Sequence, residues 1–301
     1  MAVMSLSEFT DLVDMAMQEV LVDKLNLYND YQKYMDVRDM GSKASIKASF
    51  VSSLGQLNEL AENAAINYDQ LKQGYDKTFT PVKYGGGVRF SLELAEDDQF
   101  DVVDDIGNML MDSAAYTNEQ ICANILIRAQ NASYTGPDGK VLAATDHPLV
   151  YSGGTEGNRP TNNVDLTYTE FWNAVVDFEN TLNHAGLTSR QQVRRLIVGP
   201  YWEEKATQIL GNPDQPDTTV RNINALIKNR KIQLVVVHNI PADNKLWALQ
   251  GDNHTLRLYW KKRPVTDSDG DFDTSAVKTK VLMRLVTGWI DWHGIWVSAG
   301  A

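Results

Sequence analysis

Apolar residues recur with helical spacing along one long stretch of the chain, at about residues 98–130. This spacing predicts an amphipathic helix, and Asp97 and Asp98 can cap its start and complement its dipole. At the usual rise, such a helix would be about 45 Å long, which favours a flat or elongated body. Cys122 lies among the apolar positions, so we expect a small buried hydrophobic side chain. The apolar stripe comprises Val103, Ile106, Leu110, Ala114, Thr117, Ile121 and Ile125.

Shorter helical patterns occur before and after this segment. Each begins at a residue that commonly caps helices or opens them, and two of them are followed by a glycine that can end a helix. The predicted helices cover 7–39 (Ser7 as N-cap), 167–185 (Thr167 or Thr169 as N-cap, Gly186 as terminator), 200–210 (opened by Pro200, closed by Gly211) and 222–230. Between the first of these and the long helix, the small polar residues of 40–53 predict a linker or an extended arm.

Strand patterns occupy much of the rest. The segment "VRFSLEL" at 88–94 alternates apolar and polar residues, and "KTFTPVKY" at 77–84 is rich in β-branched and aromatic residues. Further strands are predicted at 194–199, 231–240, 244–251, 254–260 and 280–300, and "TGPDGK" at 135–140 predicts a hairpin turn. Because strands and helices do not alternate as βαβ units, the pattern indicates an α+β protein.

Gly85, Gly86 and Gly87 connect two of the predicted strands. A phosphate-binding loop needs glycines that lead into the N-terminus of a helix, whereas these three precede a strand. We therefore predict a bend between two extended segments.

The charge balance restricts the classes of partner. Among 301 residues, 28 are Lys or Arg and 39 are Asp or Glu, which gives a formal net charge of −11. Such an acidic chain is a poor candidate for a protein that grips nucleic acid or an anionic membrane through a basic face. A single cysteine excludes an internal disulfide and CxxC zinc patterns. The first twenty residues lack the basic n-region of a secretory signal. The sequence contains no run of eighteen apolar residues, so no membrane span is predicted.

Common catalytic and binding motifs are absent from the sequence. It contains no P-loop, GxGxxG, HExxH or GxSxG pattern, and its five histidines are scattered along the chain. The adjacent Asp146 and His147 are the only pair that suggests catalysis, and a loop histidine before Pro148 is the simpler interpretation. The acidic segment "TDSDGDFDT" at 266–274 lacks the EF-hand order, with Lys278 where a glutamate belongs, so we predict a solvated loop. We predict no catalytic, cofactor or metal site.

Several segments together resemble the major capsid proteins of tailed bacteriophages with the HK97-type fold. The similarity covers about residues 54–301, through the order and spacing of its segments rather than through one diagnostic motif. The segments are "YDKTFTPVKYGGGVRFSLELAEDD", "TGPDGKVLAATDHPLVYSGGTEGNRPTNN", "RRLIVGPYWEEKATQIL", "GNPDQPDTTVRNINAL" and the closing "TGWIDWHGIWVSAGA".

This resemblance implies a domain organisation. It implies an N-terminal helix and arm at 1–53, an E-loop at 54–91, a peripheral domain at 92–189 that contains the long helix as its spine, an axial domain at 190–262, and return strands at 263–301. An E-loop ribbon without a hydrophobic face of its own is unstable alone, so it would lie on a neighbouring subunit.

The same resemblance implies a structural function. Many copies would assemble as hexamers and pentamers into an icosahedral phage head that encloses double-stranded DNA without reading its sequence. A portal protein, and separate scaffold or decoration proteins, would be partners; the chain would be found in the virion and, before assembly, in the host cytoplasm. Residues expected at subunit interfaces are Lys77, Lys83, Gly85, Gly86, Gly87 and Arg89. A crosslink from Lys77 or Lys83 to a neighbour's Asn is a sharper alternative to ordinary charged strand edges.

Three other functions stay open. An encapsulin-like nanocompartment would share the fold and carry protein cargo in place of DNA. A hydrolase would use Asp146 and His147. A tail-tube or tail-tip protein would form rings or rods, and the long helix argues against it.

Overall fold

The computed structural model describes residues 29–91, 102–214, 223–224, 230–271 and 276–301, except for 53, 58, 61, 63–64, 67 and 69–70. The helices of this part are α1 (Tyr31–Tyr34), α2 (Val102–Ile127), α3 (Tyr168–Asn180) and α4 (Glu203–Gly211), with a 3₁₀ turn at Pro200–Trp202. The strands are β1 (Asp36–Asp39), β2 (Ile46–Val51), β3 (Gln73–Phe79), β4 (Val82–Ser91), β5 (His147–Pro148), β6 (Thr155–Glu156), β7 (Val193–Val198), β8 (Gln233–Val236), β9 (Trp247–Gly251), β10 (Arg257–Asp271), β11 (Ala276–Gly288) and β12 (Ile295–Ser298).

The first of two four-stranded sheets has the order β1-β10-β11-β4. Strands β10 and β11 form a long antiparallel hairpin, β4 pairs with β11 at one edge, and β1 runs parallel to β10 at the other. Helix α2 crosses this sheet, where Leu110, Met111 and Ala114 pack against Val281 and Val88. The predicted long helix is thereby confirmed over Val102–Ile127, and Leu110 and Ala114 of its apolar stripe face the sheet. The predicted caps Asp97 and Asp98 lie outside the described residues.

The second sheet has the order β12-β9-β7-β8 and forms the centre of another layer. Phe171 and Phe178 of α3 pack on it together with Trp247 and Trp296, whose ring centroids lie 4.9 Å apart. Fully buried apolar residues also connect the two sheets through the C-terminal half of α2, where Leu126 packs in one cluster with Leu258 and Val297. The α+β class is confirmed.

The N-terminal helix predicted at 7–39 is confirmed at α1 (Tyr31–Tyr34) and is wrong from Met35 onward. Residues 1–28 lie outside the described part of the chain, and α1 ends at Tyr34 because Met35 is extended, with φ −106° and ψ 142°. Asp36–Asp39 then form β1 instead of continuing the helix, since their backbone pairs with β10 from Arg257 onward. Interstrand hydrogen bonds outweigh local helical preference here. Cys122, in contrast, is fully buried as predicted.

The predicted bend at Gly85–Gly87 is also wrong. All three glycines lie inside the continuous strand β4, opposite Leu282, Val281 and Lys280 of β11. A Cβ at Gly85 would lie 2.5 Å from Leu282 Cδ2, and one at Gly87 would lie 2.9 Å from the Thr279 carbonyl oxygen. The glycines therefore permit a close approach of neighbouring strands, which is the other use of glycine in a sheet.

The predicted acidic loop at 266–274 is a strand over most of its length. Residues Thr266–Asp271 continue β10, and Asp267 lies opposite Lys280 with an ion-pair distance of 2.6 Å. Alternating aspartates on one face are compatible with a strand when the neighbouring strand supplies lysines. Residues 272–275 lie outside the described part.

Helix α3 begins as predicted and ends early. The Thr167 hydroxyl accepts a hydrogen bond from the Glu170 N–H at 3.2 Å, which confirms Thr167 as the N-cap. The helix stops at Asn180 because Thr181 enters a small hairpin, in which its carbonyl accepts from the Ser189 N–H at 2.9 Å. Gly186, with φ +80°, forms the turn of that hairpin rather than the end of the helix.

One strand and one strand pair cross the predicted domain boundaries. β10 extends across the boundary at 262, and β2, within 40–53, pairs with β3 of the predicted E-loop. The boundaries stay predictions. Most of the helix predicted at 222–230 lies outside the described residues. Within the described residues, no helix is both long enough and apolar enough to cross a bilayer.

Candidate subunit interface

A two-stranded ribbon extends from the first sheet. It consists of β2 and β3, which pair antiparallel with Ile46 opposite Phe79 and Ser49 opposite Asp76. Lys47 reaches across the ribbon to Asp76 with an ion-pair distance of 2.6 Å. Because an isolated two-stranded hairpin is at best marginally stable in water, this ribbon needs support from other parts of the molecule or from another molecule.

Aromatic residues anchor both ends of the ribbon to the body. At the base, Phe79 is 1% exposed and packs with Met40, Tyr259 and Ile290. Near the tip end of β2, Phe50 stacks on His184, with ring centroids 4.6 Å apart. These contacts hold the two strands against the body.

We call the described residues within 51–71 the tip of the ribbon; this part is unusually apolar for an exposed segment. Leu57 is 90% exposed, Tyr68 89%, Leu71 67%, and Val51 and Ile66 62% each. Large apolar side chains concentrated in one exposed segment mark interaction sites. Within the described part of the chain, these tip residues have no apolar surface to cover them. The exposed large apolar residues of the tip are Val51, Leu54, Leu57, Leu60, Ile66, Tyr68 and Leu71.

Lys77 lies at the base of the ribbon, apart from the other residues predicted at an interface. Its side chain is half-buried, and its ammonium group lies 5.9 Å from the centre of the Trp289 ring. This cation–π contact gives Lys77 an intramolecular role in holding the ribbon against the segment that follows β11.

The remaining predicted interface residues come together on β4. Gly86 faces α2, where a Cβ would lie 3.7 Å from Leu110 Cδ1. Because side chains alternate along a strand, Lys83, Gly85, Gly87 and Arg89 share the opposite face. All four are exposed, and β4 is the edge strand of its sheet.

The β4 edge of this face is basic. Lys83 lies opposite Arg284 and Arg89 lies opposite Lys278 in the β4–β11 register. Aspartates of β10 share the face on the other side of β11, where Asp269 lies opposite Lys278 and Asp267 pairs with Lys280. Positive charge is therefore concentrated towards the β4 edge. We call residues 83, 89, 278 and 284 the basic face.

The described N-terminal segment is held against α2 by a buried glutamate. The Glu119 carboxylate accepts a hydrogen bond from the Tyr31 N–H at 3.3 Å, and Glu119 is 2% exposed. Burial raises the pKa of Glu119 to about 7, an effect that nearby Asp30 reinforces and the Tyr31 hydrogen bond opposes. Asp30 in turn pairs with His238 at 2.8 Å. Protonation of Glu119 is therefore coupled to the contact between the N-terminal segment and the long helix.

The pair considered for catalysis is not brought together. Asp146 is exposed and pairs with Lys140, whereas His147 is fully buried. The His147 ring nitrogens lie 2.6 Å from Asp138 Oδ2 and 3.1 Å from Asn158 Oδ1, and its ring stacks on Trp292. With both ring nitrogens occupied and the ring covered, His147 supports packing rather than proton transfer to a substrate.

Two features escaped the sequence interpretation. The leucines at 54, 57 and 60 lie in a segment for which no packing partner was predicted. Apolar residues without a predicted partner were the available signal for an exposed apolar tip. His184 and His293 converge on Asp291 although more than a hundred residues separate the two histidines. Only the Asp-x-His spacing at 291–293 was available as a local signal.

Comparison with known proteins gives one family. The sequence model of a family described as phage capsid protein matches residues 74–298. No curated protein matches the sequence.

Solved structures match nearly the whole chain at low identity. The structure of a virus-like particle from Pyrococcus furiosus matches with a TM-score of 0.58 at 12% identity, covering 94% of this chain and 98% of that one. The Mycobacterium phage Adephagia structure gives 0.60 at 8% identity, with 90% of each chain covered. The capsid of the cyanophage P-SCSP1u gives 0.58 at 14% identity, covering 89% and 86%. At these identities the similarity is one of fold.

Proposed function

The chain belongs to the phage capsid protein family and has the HK97-type fold, and from this premise we propose that it assembles into an icosahedral head that encloses double-stranded DNA. Its role as a capsid shell protein follows from the family itself. What we propose beyond this role is the icosahedral form, its hexamers and pentamers, and the enclosed DNA. Enzymatic activity is not expected of such a structural protein.

The observation that supports assembly most directly is the exposed apolar tip of the ribbon. Seven large apolar side chains are exposed between residues 51 and 71. Burying an apolar side chain of this size contributes roughly 1.5–3 kcal/mol. Even partial burial of the seven on neighbouring subunits would supply on the order of 10 kcal/mol per chain, before the entropy lost on association. The ribbon would then act as the E-loop, which completes its support only in the assembled shell.

The basic face gives a second contact. Lys83 and Arg89 project with Arg284 and Lys278 from a chain whose net charge is −11. A second copy of this chain offers mostly acidic surface, so charge complementarity favours contact between copies. We propose that Lys83, Gly85, Gly87 and Arg89 lie at such a contact. Gly86 on β4 and Lys77 on β3 are included in the proposed contact because their strands would take part in it. The side chain of Lys77 and the α-carbon of Gly86 themselves face the body of the subunit.

Enclosed DNA fits the acidic chain. An inner wall without excess positive charge would not bind the packaged polymer tightly, and no sequence-specific contact is required. A reconstruction that places the basic face on the inner wall would contradict this part of the proposal. A portal protein, and scaffold or decoration proteins, are expected partners in the virion, with host cytoplasm as the place of assembly.

Electron microscopy of the purified protein tests the proposal. We expect closed shells with hexameric and pentameric units, and particles from producing cells should contain nuclease-protected DNA. Rods or rings would indicate a tail component, and a single compact molecule at every concentration would exclude the shell. Shells that carry copurified protein in place of DNA would indicate an encapsulin-like compartment. A hydrolase would lose activity in His147→Ala while its particles stay unchanged.

A further inference from the structure

Three side chains outside the proposed subunit contacts converge beneath Phe50 of the ribbon. His184 Nε2 lies 3.4 Å from Asp291 Oδ1, and His293 Nδ1 lies 2.9 Å from both Asp291 carboxylate oxygens. Each residue offers one ligand atom, and these atoms all lie within 4.8 Å of one another. The cluster joins the hairpin after α3 to the segment between β11 and β12.

The hydrogen bonds of His293 call for a cation inside this cluster. Its Nε2 lies 2.9 Å from the Leu182 carbonyl oxygen, which can only accept, so Nε2 carries a proton. In the neutral ring Nδ1 then presents a lone pair to the Asp291 carboxylate. Two electron-rich atoms at 2.9 Å repel each other unless a positive ion binds both. That ion is either a proton or a metal.

His184 provides the observation that favours a metal. The residue is 5% exposed, and its Nε2 is buried without a hydrogen-bond partner while it points at Asp291. Its Nδ1 accepts a long hydrogen bond of 3.4 Å from the Val150 N–H, which coordination through Nε2 would break because Nδ1 would then carry the proton. A proton between His293 and Asp291 leaves His184 Nε2 with only a 3.4 Å contact to Asp291 Oδ1, whereas a metal binds all three groups.

The geometry and surroundings fit a small metal ion. Ligands of a tetrahedral zinc ion lie about 3.3 Å apart, from bond lengths of about 2.0–2.1 Å. The His184–Asp291 separation of 3.4 Å meets this value, and the other separations need rotations of the side chains. The His293 Nε2–H donates to a backbone carbonyl, as metal-binding histidines usually do with their second nitrogen. The Asp291 side chain is 15% exposed, which leaves a path to solvent.

We propose that His184, Asp291 and His293 form a binding site for a divalent transition-metal ion of the zinc class. Two imidazoles and one carboxylate suit such ions better than Ca²⁺ or Mg²⁺, which prefer oxygen. Because Phe50 stacks on His184, a bound metal would fix the surface on which the tip end of β2 rests. Water or another side chain would complete the coordination.

Zinc binding to the purified, metal-stripped full chain tests this proposal. We expect one Zn²⁺ per chain, a raised melting temperature when Zn²⁺ is returned, and binding about 100-fold weaker in His184→Ala. The matched control is His238→Ala, which removes an exposed histidine outside the cluster and should bind zinc like the wild type. Equal zinc binding in both variants, or no stoichiometric zinc in the wild type, would overturn the site.

X-ray absorption at the zinc edge keeps the test decisive if His184→Ala does not fold. The wild-type spectrum should contain two imidazole ligands and at least one oxygen ligand. A spectrum with one imidazole or none excludes this cluster. If no zinc binds, detection of an imidazolium at His293 by NMR would identify the proton as the buried cation and reject the metal.

Discussion

Phe50 in β2 stacks almost parallel on His184, with ring centroids 4.6 Å apart and an interplanar angle of 18°. This contact ties the ribbon to a hairpin that is remote in sequence. In Phe50→Ala we expect a loss of about 1–2 kcal/mol of stability and faster proteolysis between residues 52 and 72, because the end of β2 that leads into the tip loses its stacking surface. Limited proteolysis and thermal unfolding measure the two effects.

Val51→Ala is the matched control for that variant. Val51 is the next residue along β2, its side chain lies on the opposite face, and it is 62% exposed. Its substitution should leave both the proteolysis rate and the stability of the unassembled chain nearly unchanged. Equal proteolysis of Phe50→Ala and wild type would mean that the ribbon is held by other contacts.

Polar substitutions in the ribbon tip should separate assembly from folding. Leu57 is 90% exposed and Tyr68 is 89% exposed, so Leu57→Ser and Tyr68→Ser remove little from the isolated subunit. We expect unfolding of dissociated subunits to change by less than about 0.5 kcal/mol. The concentration needed for assembly should rise several-fold to about 100-fold per substitution, since each site would lose roughly 1–3 kcal/mol of burial.

Light scattering against concentration measures the assembly threshold of these tip variants. Tyr134→Ser is a suitable control, because Tyr134 is 42% exposed but lies outside the tip. Unchanged assembly in both Leu57→Ser and Tyr68→Ser would refute the proposed role of the tip.

Glu119 should make stability depend on pH. Burial raises its pKa from 4.5 to about 7 in the folded chain. Between pH 4.5 and 7 the folded protein therefore retains a proton that the unfolded chain has lost. The contribution of Glu119 to the free energy of unfolding is complete below about pH 4.5 and disappears as pH rises through 7. The full difference corresponds to roughly 3 kcal/mol. Glu119→Gln, which stays neutral, should remove this dependence and be the more stable protein at pH 8.

Urea unfolding of dissociated subunits between pH 4.5 and 8 measures the effect as a difference between variant and wild type, which cancels the other titrating groups. Glu203→Gln provides the control, since Glu203 is exposed at the start of α4. A difference between Glu119→Gln and wild type that does not change with pH would show that Glu119 is already ionised when folded.

Local patterns predicted those elements whose stability is decided locally. The stripe from Leu110 to Ile125 and the cap at Thr167 are readable because helix periodicity and N-cap chemistry act within a few residues. The start of β1 at Asp36 was not readable, because its partner at Arg257 is more than two hundred residues away. Non-local pairing also converted the predicted acidic loop into strand, once β11 placed Lys280 opposite Asp267.

The candidate interface was predictable only in part. The interface role of the β4 residues stays a prediction, and the predicted reason for their glycines was wrong, since the constraint comes from β11 across the sheet. The apolar tip is defined by the lack of described residues that cover it. The His184–Asp291–His293 cluster is defined by the convergence of residues that are distant in sequence. Neither burial nor convergence of distant residues is encoded in a single-residue pattern.

The close packing at Gly85 gives the last prediction. A Cβ at this position would lie 2.5 Å from Leu282 Cδ2 and 2.9 Å from the Val281 carbonyl oxygen. The side-chain methyl can move away, but the backbone oxygen cannot move without disturbing the β4–β11 register, so Gly85→Ala should cost about 1–3 kcal/mol. Gly211→Ala is the matched control, because that glycine lies in α4, where nothing comes within 4 Å of its added Cβ. The control should be neutral or slightly stabilising, since alanine favours the helix. Thermal unfolding of both variants measures this difference in stability. Equal melting temperatures would mean that β4 can shift to admit a side chain. The glycines would then serve contacts outside the subunit instead.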